Sequence, residues 1–469
     1  MKIAIVGAGS MVFSKNVIAD ILFFDELKNV RFSLMDTDPE RLAVAEALAR
    51  SINATRQAGA GIEATTNRKA ALEGADVVIN TIGVGGFEAT RKDLEIPMRH
   101  GLRQTIGDTL GIGGIFRTLR SLPVVLDLCR DMEEVCPGAL LLNYVNPMAT
   151  HCMGIARATK IRAVGLCHGV RYTRGRVIML ARMAGMSAKE RAALMKGWDP
   201  TETGVPQLGD FYHECVMDEK VETLCAGINH MAAFLTLREN GKDLYPLVRQ
   251  AAGIKALWDL EPVRLDLFLR LGYFLTETSG HLAEYLPWYL KSDSEIKRCS
   301  PMLRPLIYLK TCNDLAAVFR AYKRKAKTRE PFIRPDEPVS IEYASRIILA
   351  RATNRPYLFN GNVPNAGGAL ISNLPGDACV EVPCVVDRTG VQPTRVGELP
   401  PQLAALMRTN INVQDLTVRA ILEEKREHLY HAAMLDPNTS ASLTLPQIWK
   451  LMDEMIRAHG GLLPRFASG

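Results

Sequence analysis

Apolar positions follow two alternating rhythms over the first part of the chain. Lys2–Val6 is a short apolar run, and Val12–Phe24 then places apolar residues at 12, 13, 17, 18, 21 and 22, one face of a helix. Val30–Met35 returns to the strand rhythm, and Arg41–Ile52 to the helical one, opened by Asp38 as N-cap with Pro39 just inside. Val77–Ile82, Leu140–Val145 and Ile161–Leu166 are buried-strand runs, and Ile115–Cys136 carries a long helical period. Continuous apolar strands alternating with amphipathic helices predict a Rossmann-like, doubly wound α/β fold with a parallel sheet covered on both faces. Right-handed crossovers then bring the loops after Val6, Met35, Ile82, Val145 and Leu166 to one edge of the sheet.

Beyond about residue 195 the rhythm changes. Thr223–Leu235 reads as a strand entering and leaving a loop, and 245–330 as mainly helical. Residues 340–352 read as a helix, 356–387 as short strands with turns, and the stretch beyond about 390 as helical again. The expected organisation is an α/β domain over 1–195 merging into a mixed α+β C-terminal domain over 196–469.

Composition narrows the classes. The 469 residues are 47% hydrophobic and 23% charged, the balance of a water-soluble globular protein. The net charge of +6 is spread along the chain, and its densest patch, KRKAKTR at 323–329, has no interleaved aromatics. That patch reads as a solvated helix face, so no nucleic-acid partner is expected. No apolar run is long enough to span a membrane. MKIAIVGAGS runs straight into a Gly-rich loop, which marks a strand rather than a signal peptide. The ten cysteines lack regular spacing and read as reduced thiols in a cytoplasm.

Gly7-Ala8-Gly9-Ser10 follows a strand and opens a helix, the setting of a dinucleotide fingerprint. Gly7 permits the turn and Gly9 lets backbone amides approach a pyrophosphate at the positive helix end. The third glycine of the fingerprint is replaced by Val12. Asp36 ends the second strand, where a carboxylate accepts the adenosine-ribose hydroxyls, and Asp38 nearby disfavours a 2′-phosphate, so NAD is expected rather than NADP. Thr81 and Gly83 end the third strand beneath the nicotinamide-side ribose. With Gly7, Gly9, Ser10, Met11, Asp36 and Asn143 they make up the expected cofactor contacts.

Three further segments fall on the same edge: Asn143–Pro147, Gly165–Gly169 and Gly227–His230. A thiolate at Cys167, an imidazole at His230 and the hydroxyls of a sugar together suit a borderline divalent metal. These blocks are where the sequence resembles the family 4 glycoside hydrolases, and most closely the family's melibiase-type α-galactosidases. The resemblance runs through GAGS at 7–10, RHGLRQTIGDTLGIGGIFRTLRSLP at 99–123, LLNYVNPMA at 141–149 and VGLCHGV at 164–170. It continues with AGINHMA at 226–232, LGYFLTETSGHLAEYLPWYLK at 271–291, GNVPNAGGALISNLP at 361–375, CVEVPCVVD at 379–387 and TNINVQ at 409–414.

The resemblance implies a glycosidase that uses NAD and Mn²⁺, or a similar ion, catalytically: hydride removal from sugar C3, proton removal at C2, departure of the glycosidic oxygen, addition of water and return of the hydride. It implies Cys167 and His230 as metal ligands, and Asn146 and Asn229 as sugar-binding residues on the same loops. Arg91 and Asp108, in the loop after the third strand, are further substrate candidates. His168, next to the metal cysteine, is a candidate general acid. Tyr273 is the candidate C2 base, with Glu277, His281 and Glu284 as competitors. The motif CHGV departs from the CHSV of melibiase-type members, and Arg171, Arg174 or Arg176 could meet a carboxylate. The expected substrate is therefore an α-galactoside, with a uronic acid as the alternative. An NAD-dependent hydroxy-acid or sugar dehydrogenase shares the logic of the first domain but needs no metal thiolate. Relatives of this type imply a homodimer or homotetramer.

Overall fold

In the computed structural model, which describes residues 1–196 and 209–466, nine strands form one sheet. Three more strands form a second sheet, and in chain order the twelve of the described residues are β1 (Lys2–Val6), β2 (Arg31–Met35), β3 (Gly61–Thr65), β4 (Val77–Asn80), β5 (Leu140–Asn143), β6 (Arg162–Gly165), β7 (Val221–Ala226), β8 (Ala233–Glu239), β9 (Lys242–Asp243), β10 (Tyr357–Pro364), β11 (Cys379–Asp387) and β12 (Gly390–Pro393). The main sheet runs β12-β11-β10-β6-β5-β4-β1-β2-β3, with β7-β8-β9 as a separate antiparallel sheet. β1 to β6 pair in parallel, Ile3 lying between Phe32 and Val77, and Leu141 between Val78 and Ala163. β10 then joins β6 antiparallel at Asn362–Gly165, and β11 and β12 extend the antiparallel edge. Strands from the C-terminal half thus complete a sheet begun by the N-terminal half.

The relevant helices are α1 (Met11–Ile21), α2 (Pro39–Thr55), α3 (Gly86–Arg99), α4 (Gly111–Val135), α5 (Met148–Ala158), α6 (Gly169–Ala184), α7 (Ile307–Thr328), α8 (Ala344–Thr353), α9 (Pro401–Leu422) and α10 (Leu445–His459). Strand residues alternate between two cores, as period 2 demands. Ile3, Ile5, Ile79 and Leu142 pack with Val17 and Ile18 of α1, while Ala4, Val6, Val78 and Leu141 pack with Val125 and Leu128 of α4. Both faces of the sheet are covered, which is why the strands read as unbroken apolar runs. Asp38 caps α2, accepting from the amides of Glu40 at 2.9 Å and Arg41 at 3.1 Å.

Three departures from the sequence reading have physical causes. β3 was not anticipated, because only Ile62 of its five residues is buried and an edge strand so exposed carries no apolar run. α4 begins at Gly111 rather than Ile115, since its glycine-rich first turn crosses the preceding loop: a Cβ on Gly113 would lie 2.3 Å from the Gly107 carbonyl oxygen. The helical region 245–330 is broken into six helices, of which only α7 is long. Among the described residues no helix is long and apolar enough to cross a membrane.

Candidate functional site

β1 ends at Val6 and the chain turns at once. Gly7 has φ +86°, and the amides of Gly7 and Ala8 both donate to the Met35 carbonyl at 2.9 Å. A Cβ on Gly7 would stand 2.7 Å from the Thr81 carbonyl carbon, and one on Gly9 2.6 Å from Asp36 Oδ2, so neither position has room for a side chain. The Gly9 amide donates to Asp36 Oδ2 at 2.8 Å and Thr81 Oγ1 to the Gly7 carbonyl at 2.9 Å, drawing the ends of β1, β2 and β4 together. Ser10 opens α1 without a side-chain cap, so its first-turn amides are available to an anion. Val12, standing where the fingerprint has its third glycine, is 39% exposed and does not press on the sheet. Met11 is buried, and Gly83 has open space about it. Asn143 lies deeper. It is fully buried, accepts from Asn80 Nδ2 at 2.8 Å and donates to the Val145 carbonyl at 3.2 Å, which braces the loop after β5.

The loops on this edge bring three donors together. Cys167 follows β6, His230 lies in the β7–β8 turn, and Glu277 follows the stretch that bridges Leu275 to Ala233; their ligand atoms all lie within 4.8 Å of one another. His230 and Glu277 have φ of +64° and +60°, backbone conformations that a side chain adopts only when its surroundings enforce them. The turn bearing His230 is pinned to the main sheet, where Gly227 and Glu381 exchange backbone hydrogen bonds of 3.0 and 2.8 Å. Cys167 Sγ lies 3.3 Å from His230 Nε2 and accepts from the Gly169 amide at 3.3 Å.

A relay orients the imidazole. Thr109 Oγ1 donates to Asp108 Oδ1 at 2.8 Å, so at 3.1 Å it accepts from His230 Nδ1, which turns the lone pair of Nε2 toward Cys167. Burial pushes His230 down to about 4, so its ring is neutral and able to ligate. Burial favours the neutral acid at Glu277, yet the cationic His281 and His168 around it hold its carboxyl below the usual range. Burial, reinforced by Glu277 and Glu381, pushes the Cys167 thiol well up, a thiol that a divalent cation would deprotonate. Soft sulfur, neutral imidazole and carboxylate form a donor set that fits such an ion.

Polar groups suited to a sugar surround this cluster. Despite burial, the Asp108 carboxyl is held well below its usual range by His281, Arg117 and His230. Asp108 Oδ2 accepts from Asn146 Nδ2 at 3.3 Å, and Arg117 Nε donates to the Asn146 carbonyl at 3.2 Å. Asn229 is 1% exposed and both polar atoms of its amide lack a partner, a costly state that points to a ligand. His281 stands edge-on to His230 with ring centroids 5.1 Å apart, 3.7 Å from Asp108 and 3.5 Å from Glu277. Against the effect of burial, the neighbouring carboxylates of Asp108 and Glu277 raise His281 to about 9. His168 places Nδ1 3.0 Å from Glu342 Oε1. Burial opposes its charged form, but the Glu342 carboxylate raises it to about 9. Glu342, Arg117, Thr109 and Tyr285, whose hydroxyl lies 3.2 Å from His230 Nδ1, carry no sequence signal, because each meets the site through a residue far away in the chain.

Other candidates lie elsewhere. Tyr273 packs edge-on against Tyr245, centroids 6.4 Å apart, and makes no hydrogen bond to the cluster among the described residues. It is Glu277, four positions on, that reaches the cluster. Arg91 is spent on Glu88 at 2.8 Å and Glu95 at 2.7 Å along the outer face of α3. Glu284 anchors a loop, accepting from the amides of Thr105, Ile106 and Gly107 at 2.9 to 3.1 Å. The arginines that follow the CHGV motif are consumed too. Arg171 donates to the Ile341 carbonyl at 3.1 Å, Arg174 to carbonyls including Val216 at 2.9 Å, and the buried Arg176 pairs with Glu261 at 3.2 Å.

A cysteine–histidine–carboxylate donor set beside a dinucleotide loop defines an enzyme site able to hold a metal ion and a dinucleotide together. The family 4 glycosyl hydrolase model matches residues 2–183 and its C-terminal domain residues 225–439, and the chain belongs to that family. It is 40% identical to an α-galactosidase of Bacillus subtilis (strain 168) over 99% of both chains, and 35% identical to one of Rhizobium meliloti (strain 1021) over 99% of this chain and 90% of the other. A 6-phospho-α-glucosidase from gut microorganisms, solved with NAD and Mn²⁺, shares the fold at TM-score 0.77 and 18% identity over 99% of each chain.

Proposed function

We propose that this protein hydrolyses α-galactosides with the help of NAD and a divalent ion such as Mn²⁺. The observation that carries the reading is the Cys167–His230–Glu277 donor set on the same sheet edge as the Gly7–Gly9–Asp36 loop. The 40% and 35% identical relatives, both α-galactosidases, support the choice of sugar.

Bound NAD would supply a hydride acceptor, and the ion a Lewis acid for adjacent sugar oxygens. Cys167, His230 and Glu277 would hold the ion, and the α1 amides, Gly9 and Asp36 the dinucleotide. Asp108, Asn146, Asn229 and His281 orient the sugar hydroxyls. His168, held by Glu342 through Nδ1, keeps a proton on Nε2 for the departing glycosidic oxygen.

The test supplies p-nitrophenyl α-galactoside and the matching α-glucuronide with NAD, Mn²⁺ and a thiol reductant. Release of nitrophenol from the galactoside, with no net NADH, is the expected result. Preference for the glucuronide overturns the sugar assignment. Steady NADH accumulation with a free alcohol overturns the hydrolase reading.

A further inference from the structure

Helix α7 is unusual for its length: none of its 22 residues is buried. A helix so weakly packed is held by its ends and by what lies beneath it. Its N-terminal end is fastened at the sugar site. The Leu306 amide donates to the Gln104 carbonyl at 2.8 Å and the Tyr308 amide to that of Thr105 at 3.2 Å. The Tyr308 side chain lies beside Arg117, which in turn bonds the loop of Asn146.

Roughly 16 Å of helix separates Tyr308 from Phe319. At Phe319 the helix has reached the other end of the groove, where the ring lies 4.6 Å from the Arg41 guanidinium. Arg41 Nη1 donates to the Gly9 carbonyl at 3.2 Å, in the loop that Asp36 closes. One turn further on, Lys323 pairs with Glu40. The chain then wraps the first βαβ unit. Glu337 meets Lys15 of α1 at 2.7 Å, Arg56, just past the end of α2, donates to the Pro335 carbonyl at 2.8 Å, and the Ser340 amide donates to Asp20 of α1 at 2.9 Å. It returns to the site at Glu342, bonded to His168.

The segment therefore leaves the sugar site, passes the start of α2 at Glu40 and Arg41, runs on beside the C-terminal ends of α1 and α2, and comes back. We propose that residues 306–342 form a retaining strap over the dinucleotide groove, with Phe319 backing Arg41 as the wall of its adenosine end. Phe319 covers one side of the guanidinium, and the Arg41 side chain remains 46% exposed, which leaves its other side to a stacked base. A strap of this kind suits an enzyme that reoxidises its cofactor in place, because a dinucleotide that need not leave between turnovers can be enclosed. The inference rests on the NAD reading given above.

The test is the release of NADH, followed by its fluorescence when the complex is diluted into excess NAD. Phe319→Ala is expected to speed release about tenfold, of the order expected for losing a backed cation–π wall. Lys323→Glu, which sets like charge against Glu40, is expected to speed it as well. Leu315→Ala, at a position 45% exposed on the same helix, leaves release unchanged, and Mn²⁺ binding measured by calorimetry stays as in the wild type for all three. Unchanged release in both Phe319→Ala and Lys323→Glu overturns the strap alone. Failure of the wild-type chain to bind NADH overturns the NAD reading as well.

Discussion

At the scale of single residues, the site depends on groups whose ionisation is set by burial. Cys167→Ser removes the soft ligand while leaving the glycine loop intact. The variant is expected to lose Mn²⁺ binding by calorimetry and to retain NADH binding by fluorescence. Glu381 offers a separate readout. Burial raises its carboxyl from the usual 4.5 to about 8, against a hydrogen bond from Asn362 that favours the charge. A carboxyl raised on folding contributes stability that is full below its unfolded value and is lost as pH climbs through the folded one. The metal-free protein should therefore become less stable between about pH 5 and pH 8, and Glu381→Gln should flatten that decline in urea unfolding. The pattern of apolar runs put Cys167 and His230 on one edge of the sheet, and the family resemblance suggested them as a metal pair; their side chains lie together there. Glu342 was not legible in the sequence, since it reaches the site through a hydrogen bond to His168 across 174 positions. The role of a carboxylate is written in its partners, and those that bring Glu277 and Glu342 into the site, Cys167 and His230 for the one and His168 for the other, lie far off in the chain.

At the scale of elements, legibility follows burial. β1, β4 and β5 are buried along nearly their whole length and stood out as apolar runs, whereas β3 did not. The start of α4 was hidden for another reason. Gly111, Gly113 and Gly114 read as helix breakers, yet they open the helix because the loop bearing Asp108 passes against them. A Cβ on Gly114 would fall 2.5 Å from the Thr109 carbonyl carbon. Gly113→Ala must push that loop outward. The expected cost is about 1–3 kcal/mol of stability, with a rise in KM for the galactoside, measured by denaturant unfolding and steady-state kinetics.

At the scale of the whole molecule, distant helices are joined by a buried polar tie. Arg120 of α4 donates to both carboxylate oxygens of Asp93 of α3, at 2.9 and 2.7 Å, and His459, at the end of α10, lies 3.1 Å from the same carboxylate. Asp93→Asn strands a buried guanidinium and is expected to lower stability by roughly 3–5 kcal/mol, seen as a fall in Tm by calorimetry. This tie, and the pairing of β10 with β6, could not be read from local pattern. Asn362 reaches Gly165 across 197 positions, and nothing in either segment announces the other.

That late pairing has a consequence for how the protein is made. β6 emerges from the ribosome with one row of amides and carbonyls unpaired, and the strand that covers it, β10, lies nearly two hundred residues downstream. At roughly 5–20 residues per second the row stays open for on the order of ten seconds or more. An open parallel edge is a template for other chains. Nascent chains of this protein should therefore be most prone to self-association while translation is between β6 and β11, so that a ribosome pause in that interval endangers the product more than one near the start.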